Sequence, residues 1–495
     1  MGMAFVARTV FECAPRMNEA QPHPTFKVPA QVLAVLVIVA AIFMGGATER
    51  MPQSVALAAA GALPAAWFHS AAWRGAVQEA GIALPATLSP QPRLTLEAWL
   101  LLAAGISWMG WLMASPWDGT SRRLAARIFV CGLAVLAVCV LVQWWTGWRP
   151  PGWLSAESHG PFPNRNHTAH VLALGGVLAV GCAADALRHG KVRMLPWLLA
   201  AGVILAALAT VYSRGGIVML FCALGLWNVS VAWKRRSWKI LLLWLSALCV
   251  VASVLLVFGG PIAGRFAVDA NFTGDFRLRI WSDARALAAD SPWCGAGLGN
   301  FSALFPFHRT ASVIQSSVIH PESDWLWLVT EAGWPAAALA LAAIVCALAG
   351  AFPNERKTQR RLRTAALAAS VAAVVHAFVD VPGHRLGSAL AAIFVMVLAR
   401  RDAAPSAASR AALTMWRVSG LALIALGAWW ANVPDDEVRA KALSRDGKFS
   451  AAVVRADRAI ARAPLDWRPY FTRAVALACD RNVIEAVGDC WSRTT

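Results

Sequence analysis

Acidic residues are scarce in this sequence: 27 Asp and Glu stand against 45 Lys and Arg, and charged residues of both signs fill only 15% of 495 positions. Tyrosine is nearly absent, with 2 copies against 25 tryptophans. So little charge, combined with 58% hydrophobic residues and a mean hydropathy of +0.55, excludes a soluble globular protein and indicates a polytopic membrane protein. The net charge of +18 does not imply nucleic acid, because the basic residues sit in short loops between apolar runs and form no continuous face. The 10 cysteines show no metal-ligand or disulfide spacing. Cys131, Cys139, Cys182, Cys222, Cys249 and Cys346 lie inside apolar runs as small apolar side chains, and Cys479 and Cys490 would pair only in an oxidising compartment. Residues 1–27 lack the apolar core of a cleaved signal peptide and read as a disordered lead-in. Tryptophans gather near segment ends, as in Trp144-Trp145 and Trp429-Trp430, which fits interfacial belts.

What is present is a series of apolar runs at roughly 28–46, 53–69, 94–114, 126–147, 167–186, 195–212, 215–233, 239–260, 325–350, 363–380, 385–400 and 412–432. Each is long enough to cross, or nearly cross, a hydrocarbon core of ~30 Å. The expected fold is therefore an all-α transmembrane helix bundle of about twelve spans over residues 28–433, with a long external loop at 261–323 and a small helical tail at 434–495. Orientation comes from Arg122-Arg123, Arg188 to Arg193, Lys234-Arg235-Arg236, Arg356 to Arg363 and Arg400-Arg401, which alternate correctly as cytoplasmic loops. That places 70–93, 148–166, the tight turn at Ser213-Arg214, 261–323 and Pro382-Gly383-His384 outside. Arg8, Arg16 and Lys27 conflict with this parity unless an early crossing near Ala71 to Pro85 is added or one early run is half inserted. The tail is charged and Ala-rich, with the spacing of a helix, turn and helix that resembles one tetratricopeptide repeat; a single repeat cannot bury its own core.

Chemistry-bearing residues gather on the external side. Asn164-Arg165-Asn166-His167 opens one helix, and capping accounts for one asparagine but not for the whole set, which reads as a polar ligand contact. Ser213-Arg214-Gly215-Gly216 sits between two apolar runs, with snorkelling of Arg214 to head-groups weighed evenly against ligand binding. From Arg277 to Asp290 the spacing is helical, with Leu278, Trp281, Ala284 and Ala288 as an apolar stripe for the outer leaflet and Arg277 and Arg285 on another face. Gly295-Ala-Gly297-Leu-Gly299 follows no strand, so a glycine-rich turn is the reading in place of a dinucleotide fingerprint. His320, with Glu322 and Asp324 beside it, is a candidate general base. His376 and Asp380, one helical turn apart, read first as a mutually satisfied buried pair and second as substrate contacts.

These features, taken in order, resemble the O-antigen ligase and polymerase superfamily over roughly residues 28–400: Asn164-Arg165-Asn166, Ser213-Arg214-Gly215-Gly216, Arg277-x-x-x-Trp281, Pro292-x-x-Gly-x-Gly-x-Gly-Asn-Phe, and His320 leading to Asp324-Trp325-Leu326 and Glu331-Ala-Gly333. The resemblance implies a bacterial inner-membrane glycosyltransferase that moves a glycan from undecaprenyl diphosphate to a glycan, lipid or protein acceptor on the periplasmic face, with no cofactor or metal. It also implies roles: Arg214 and Arg277 on the diphosphate, and His320 or Glu322 as the base. Asn164, Arg165, Asn166, His167, Arg279, Asp324, His376 and Asp380 become candidate substrate contacts. One departure stands out. Relatives usually carry His-Asn directly before the acidic-aromatic-Leu run, whereas Glu322-Ser323 occupies that register here and His320 lies two residues upstream. A polymerase or protein oligosaccharyltransferase of the same superfamily is one alternative, and a transporter or flippase for lipid-linked sugars is another. The latter would place its ionisable residues near the bilayer midplane.

Overall fold

A computed structural model describes residues 72–79, 81–82, 84, 89–151, 153, 160–236, 276–313, 318–351, 360–400, 407–431 and 435–480. The expected runs at 28–46, 53–69 and 239–260, the lead-in 1–27, residues 261–275 of the external loop, and Cys490 lie outside these residues. Among the described residues the fold is all-α, without strands. The helices are α1 (Ala72–Glu79), α2 (Pro92–Ala114), α3 (Gly119–Thr146), α4 (Arg165–Ala186), α5 (Lys191–Thr210), α6 (Arg214–Arg235), α7 (Phe276–Asp290), α8 (Phe301–Leu304), α9 (Asp324–Ala349), α10 (Arg360–His376), α11 (Leu386–Ala399), α12 (Ala407–Ala431), α13 (Asp436–Arg445), α14 (Phe449–Arg462) and α15 (Trp467–Asp480). Six of them, α2 to α6 and α9, contain stretches long and apolar enough to cross a membrane, and α11 is a shorter apolar helix. Helix α1, with 8 residues, spans about 12 Å at 1.5 Å per residue. It is therefore too short for the extra crossing considered near Ala71.

Helix α4 is the centre of the bundle, with His167 to Ala179 buried without a break and burial continuing to Ala186. A helix that is hydrophobic all round belongs inside a bundle, and α3, α5, α6, α10 and α11 pack around it. Small residues bring the backbones together: a Cβ on Gly216 of α6 would lie 2.5 Å from Ala169, and one on Gly181 would lie 2.9 Å from Ala365 of α10. The helix starts are written in the sequence. Asp118 accepts from the Ser121 amide at 2.7 Å in a capping box, Asn164 from Asn166 at 2.8 Å, and Ser213 from Gly216 at 3.3 Å.

Helix α7 forms where the spacing places it, and Ala284 and Ala288 of the expected stripe are inward, but the stripe is rotated at its start. Ile280, Asp283, Ala284, Leu287 and Ala288 are buried, while Leu278 is exposed. The inner face packs on Phe301, Leu304, Phe305 and Val77, so it meets protein and not the outer leaflet. Asp283 sets this rotation by accepting from Thr310 Oγ1 (3.0 Å), Ala311 N (3.0 Å), Ser312 N (2.8 Å) and Ser312 Oγ (2.6 Å). Burial pushes its carboxyl upward, and these four hydrogen bonds outweigh it, leaving the pKa below the ordinary value. The tail forms three helices around buried Ala440, Ala452, Ala456, Ala459 and Ala476, with Asp436 bridging Arg455 and Arg462. Leu465, in the turn before α15, packs against the cluster formed by α7 and α8.

Candidate active site

The bundle sorts its polar residues into two ends. At one, Arg361 donates to Ala184 O (2.6 Å), Arg363 to Ala399 O (3.2 Å) and Arg400 to Met113 O (3.1 Å). Those carbonyls lie in the last turns of α4, α11 and α2, which lack partners within their own helices. At the other end part of the expected external set comes together. Ser213 Oγ donates to Asn166 Oδ1 (2.9 Å), joining the starts of α4 and α6. Arg277 donates to Val379 O (3.1 Å), and the Asp324 amide donates to Ala377 O (2.9 Å) and Asp380 O (3.0 Å).

The mouth at this end is built around a break in α9. Gly333 has φ 83° and ψ 168°, and Pro335 follows it. Proline has no amide to give to Glu331 O, and the Gly333 turn diverts the Trp334 amide from Thr330 O. The glycine-rich turn takes up the freed groups: Ala296 N donates to Thr330 O (2.8 Å), Gly297 N to Glu331 O (2.9 Å), and Trp334 N to Pro292 O (2.9 Å). The buried Glu331 carboxylate completes the staple, accepting from Gly299 N (2.7 Å) and Phe301 N (3.0 Å). No side chain fits at the contact, since a Cβ on Gly295 would lie 2.3 Å from the Glu331 carbonyl carbon and one on Gly333 2.4 Å from Trp293 O.

Above this staple His320 stands between two cavities and lines both. The larger, about 700 Å³, is also lined by His167, Arg165, Trp327, His384 and Arg385; the smaller, about 380 Å³, by Phe276, Arg277, Ile280 and Glu322. Glu322 Oε1 lies 3.5 Å from His320 Nδ1 and its Oε2 lies 3.5 Å from Arg277 Nη2. Both are ion-pair distances longer than a well-made hydrogen bond. Glu322 has φ 56°, in the left-handed region that non-glycine residues seldom enter. Burial, then the positive charges of His384, Arg385 and Arg277, push the His320 pKa down to about 4. The imidazole is therefore neutral at neutral pH and able to accept a proton.

Asp324 holds the neighbouring turn. Its Oδ1 lies 2.6 Å from His384 Nδ1, and its Oδ2 accepts from Gly383 N at 2.7 Å. The His384 ring lies flat on Trp327, with centroids 3.4 Å apart and planes at 2°. Below, His376 stacks on His170 with Nδ1 atoms 3.3 Å apart, and its Nε2 is 3.8 Å from Asp380 Oδ2. His376 and Asp380 are buried together as expected, with a second histidine beside them, but they do not satisfy each other: 3.8 Å is beyond a hydrogen bond and His376 Nε2 has no hydrogen-bond partner. Gly215 permits this packing, because a Cβ there would lie 2.6 Å from His376 Nε2.

Of the residues singled out in the sequence, Asn164, Arg165, His167 and His320 share the larger cavity, while Arg277 and Glu322 share the smaller. Asn166 bonds Ser213, Arg214 opens α6 outside both cavity walls, and Arg279 is exposed on α7. His384, Arg385, Trp327 and His170 were not singled out. The i, i+3 spacing of His167 and His170 was the available signal for the last. For His384 it was an imidazole and an arginine together in an external turn.

Residues 198–341 match the family model described as O-antigen ligase, a stretch running from α5 into α9 and including Arg214, Arg277, His320, Glu322 and Asp324. No curated protein matches the chain.

Proposed function

We propose, on the premise that the chain belongs to the O-antigen ligase superfamily, that it transfers a glycan from undecaprenyl diphosphate to an acceptor hydroxyl at the periplasmic face of the bacterial inner membrane. The observation that carries this reading is the placement of His320 in the wall shared by two cavities, with Glu322 and Arg277 behind it. A transferase that joins two substrates needs its proton acceptor where their sites meet. The neutral His320 imidazole takes the acceptor hydroxyl proton as the oxygen bonds to the anomeric carbon, and the carbon-oxygen bond to the diphosphate breaks with its electron pair on the leaving group. Glu322, 3.5 Å from Nδ1, stabilises the imidazolium that forms, and Arg277 positions Glu322. Glu322 itself is the competing base.

A flippase is less well supported, because the titratable residues of the candidate site, His167, His170, His320, His376, Asp380 and His384, lie at one end of the bundle. His170 is five residues into α4, about 8 Å from its start at 1.5 Å per residue. The test is transfer in proteoliposomes from an undecaprenyl diphosphate-linked glycan, with mass spectrometry of the product and of released undecaprenyl diphosphate. Movement of the lipid-linked glycan across the bilayer without glycosidic bond formation would sink the transferase reading.

A further inference from the structure

Resting on the transfer reading, we infer that the proton taken from the acceptor hydroxyl does not stay on His320 but passes to His384, which Asp324 positions as a relay. Both imidazoles line the larger cavity, and both lie against Trp327, His384 at 3.4 Å between ring centroids and His320 at 5.7 Å. Their carboxylate partners differ. Glu322 Oε1 stands 3.5 Å from His320 Nδ1, too far for a well-made hydrogen bond, whereas Asp324 Oδ1 stands 2.6 Å from His384 Nδ1. A carboxylate in hydrogen-bond contact stabilises an imidazolium and fixes which nitrogen of the neutral ring carries the proton. With Nδ1–H donated to Asp324, the lone pair of His384 is on Nε2. The side chain is one-third exposed, so that edge of the ring is open to the cavity it lines.

The turn that carries His384 is held without the imidazole. Ser323 caps α9 by accepting from Leu326 N at 3.3 Å, the Asp324 amide donates to Ala377 O, and Gly383 N donates to Asp324 Oδ2. Any flat ring would cover Trp327, so what the imidazole adds is a proton site facing the cavity. His320 is poorly equipped to keep the proton, since burial and the positive charges around it oppose its charged form. A glycan filling the cavity also keeps bulk water from collecting the proton directly. Glycan hydroxyls or trapped water between the two rings pass it on in balanced steps. The His320 N–H bond breaks with its electron pair left on nitrogen, an oxygen gains that proton and releases its own, and the Nε2 lone pair of His384 forms the new N–H bond. The positive charge then lies beside Asp324, His320 is neutral for the next acceptor, and the proton reaches solvent as product leaves. His384 stands outside the stretch 198–341 that matches the family model.

The experiment is steady-state transfer by the full chain in proteoliposomes, with an undecaprenyl diphosphate-linked glycan as donor, a bacterial envelope extract as acceptor, and variants first matched to wild type in unfolding temperature. His384→Gln and Asp324→Asn are each expected to lower kcat by about a hundredfold, the lower end of what a positioned proton acceptor supplies, and to leave KM for the donor within about twofold. Asparagine keeps an oxygen for Gly383 N, so the turn is retained. Imidazole added to the buffer should restore most of the lost kcat in both variants and leave wild type unchanged, because a soluble base replaces a proton acceptor but cannot repair a fold. His384→Phe, which keeps a ring on Trp327, should match His384→Gln in loss and in rescue. Independently of turnover, nitrogen-15 NMR of histidine-labelled chain should show the signal that His384→Gln removes with Nδ1 protonated and Nε2 bare at neutral pH. Full turnover in His384→Phe, a loss in His384→Gln that imidazole leaves unrepaired, or a protonated Nε2 at rest would overturn the relay. A bare Nε2 in a wild-type chain that forms no glycosidic bond would remove the transferase reading, and the relay with it, while the pairing of Asp324 with His384 stands.

Discussion

The two ends of this bundle use the same residue type for different purposes. At one end Arg361, Arg363 and Arg400 each donate to a carbonyl in the last turn of another helix, where guanidinium groups complete hydrogen bonds and oppose the negative end of the dipole. At the other end Arg165, Arg277 and Arg385 line cavities. The difference lies in what the helix termini offer. C-terminal carbonyls attract cations outright, whereas N-terminal amides repel them, so a cation held there needs an acceptor from elsewhere, as Arg277 has in Val379 O and Glu322. An arginine at a helix start is thus a stronger sign of a site than one at a helix end.

The comparison is broken most sharply by finding the cavity end on the cytoplasmic side. An impermeant maleimide applied to intact spheroplasts should label exposed Cys294, and Ser302→Cys, in full, with labelling of Cys294 lost in Cys294→Ser. Labelling that appears only after lysis would invert the molecule. Next in size is His320→Ala, expected to lower transfer by ~10² to 10⁴, the usual yield of general-base catalysis. On the proposed mechanism the working base is the neutral His320 ring, so protonation should remove activity as pH falls. With a pKa of about 4, the rate should stay level from neutrality down to the region of pH 4. A carboxylate base with an ordinary pKa near ~4.3 would give the same profile. The choice between His320 and Glu322 therefore rests on comparing His320→Ala with Glu322→Gln, and a fully active His320→Ala would transfer the role to Glu322.

Smaller effects sharpen the contrast. Arg277→Lys keeps the charge but loses the planar fork to Glu322 and Val379 O, and should reduce turnover by about tenfold. Arg214→Lys tests the second half of the clamp that the resemblance implies and should also lower turnover; activity close to wild type in both Lys variants would remove the clamp. Gly333→Ala should destabilise by about 1–3 kcal/mol through its positive-φ backbone alone, read as a lower unfolding temperature in detergent. At the far end, Arg361→Ala removes one carbonyl contact at a helix terminus, worth ~1 kcal/mol or less. It should leave transfer within twofold; a large loss there would erase the distinction between the ends.

What could be read from the sequence was what is local in it. Spans α2 to α6 and α9 follow from apolar length, the Asn164 cap from a polar residue before a helix, and the glycine turn from spacing without a preceding strand. His320, Glu322 and Arg277 could be suspected because polar groups are costly at a membrane rim. The Asp324–His384 pair, 60 residues apart, and the His170–His376 stack, 206 apart, were not legible, since partnership across helices depends on packing that no periodicity encodes. Glu331 was visible as part of a motif but not as the anchor of the glycine turn, because that role exists only once Gly333 and Pro335 open α9. The stripe of α7 is legible in Ala284 and Ala288 but not in Ile280 and Leu287, because Asp283, a charged residue, belongs to its buried side.

The left-handed backbone at Glu322 bears on how this position can change over evolutionary time. Asn, Asp and His enter that region several times more readily than other side chains with a Cβ. The backbone thus acts as a filter on substitution that is independent of chemistry. The histidine that the resemblance leads one to expect in this register satisfies the filter, and a glutamate stands there at some conformational cost. On the proposed mechanism, a carboxylate or an imidazole in this register would offer its proton acceptor from the same left-handed backbone position.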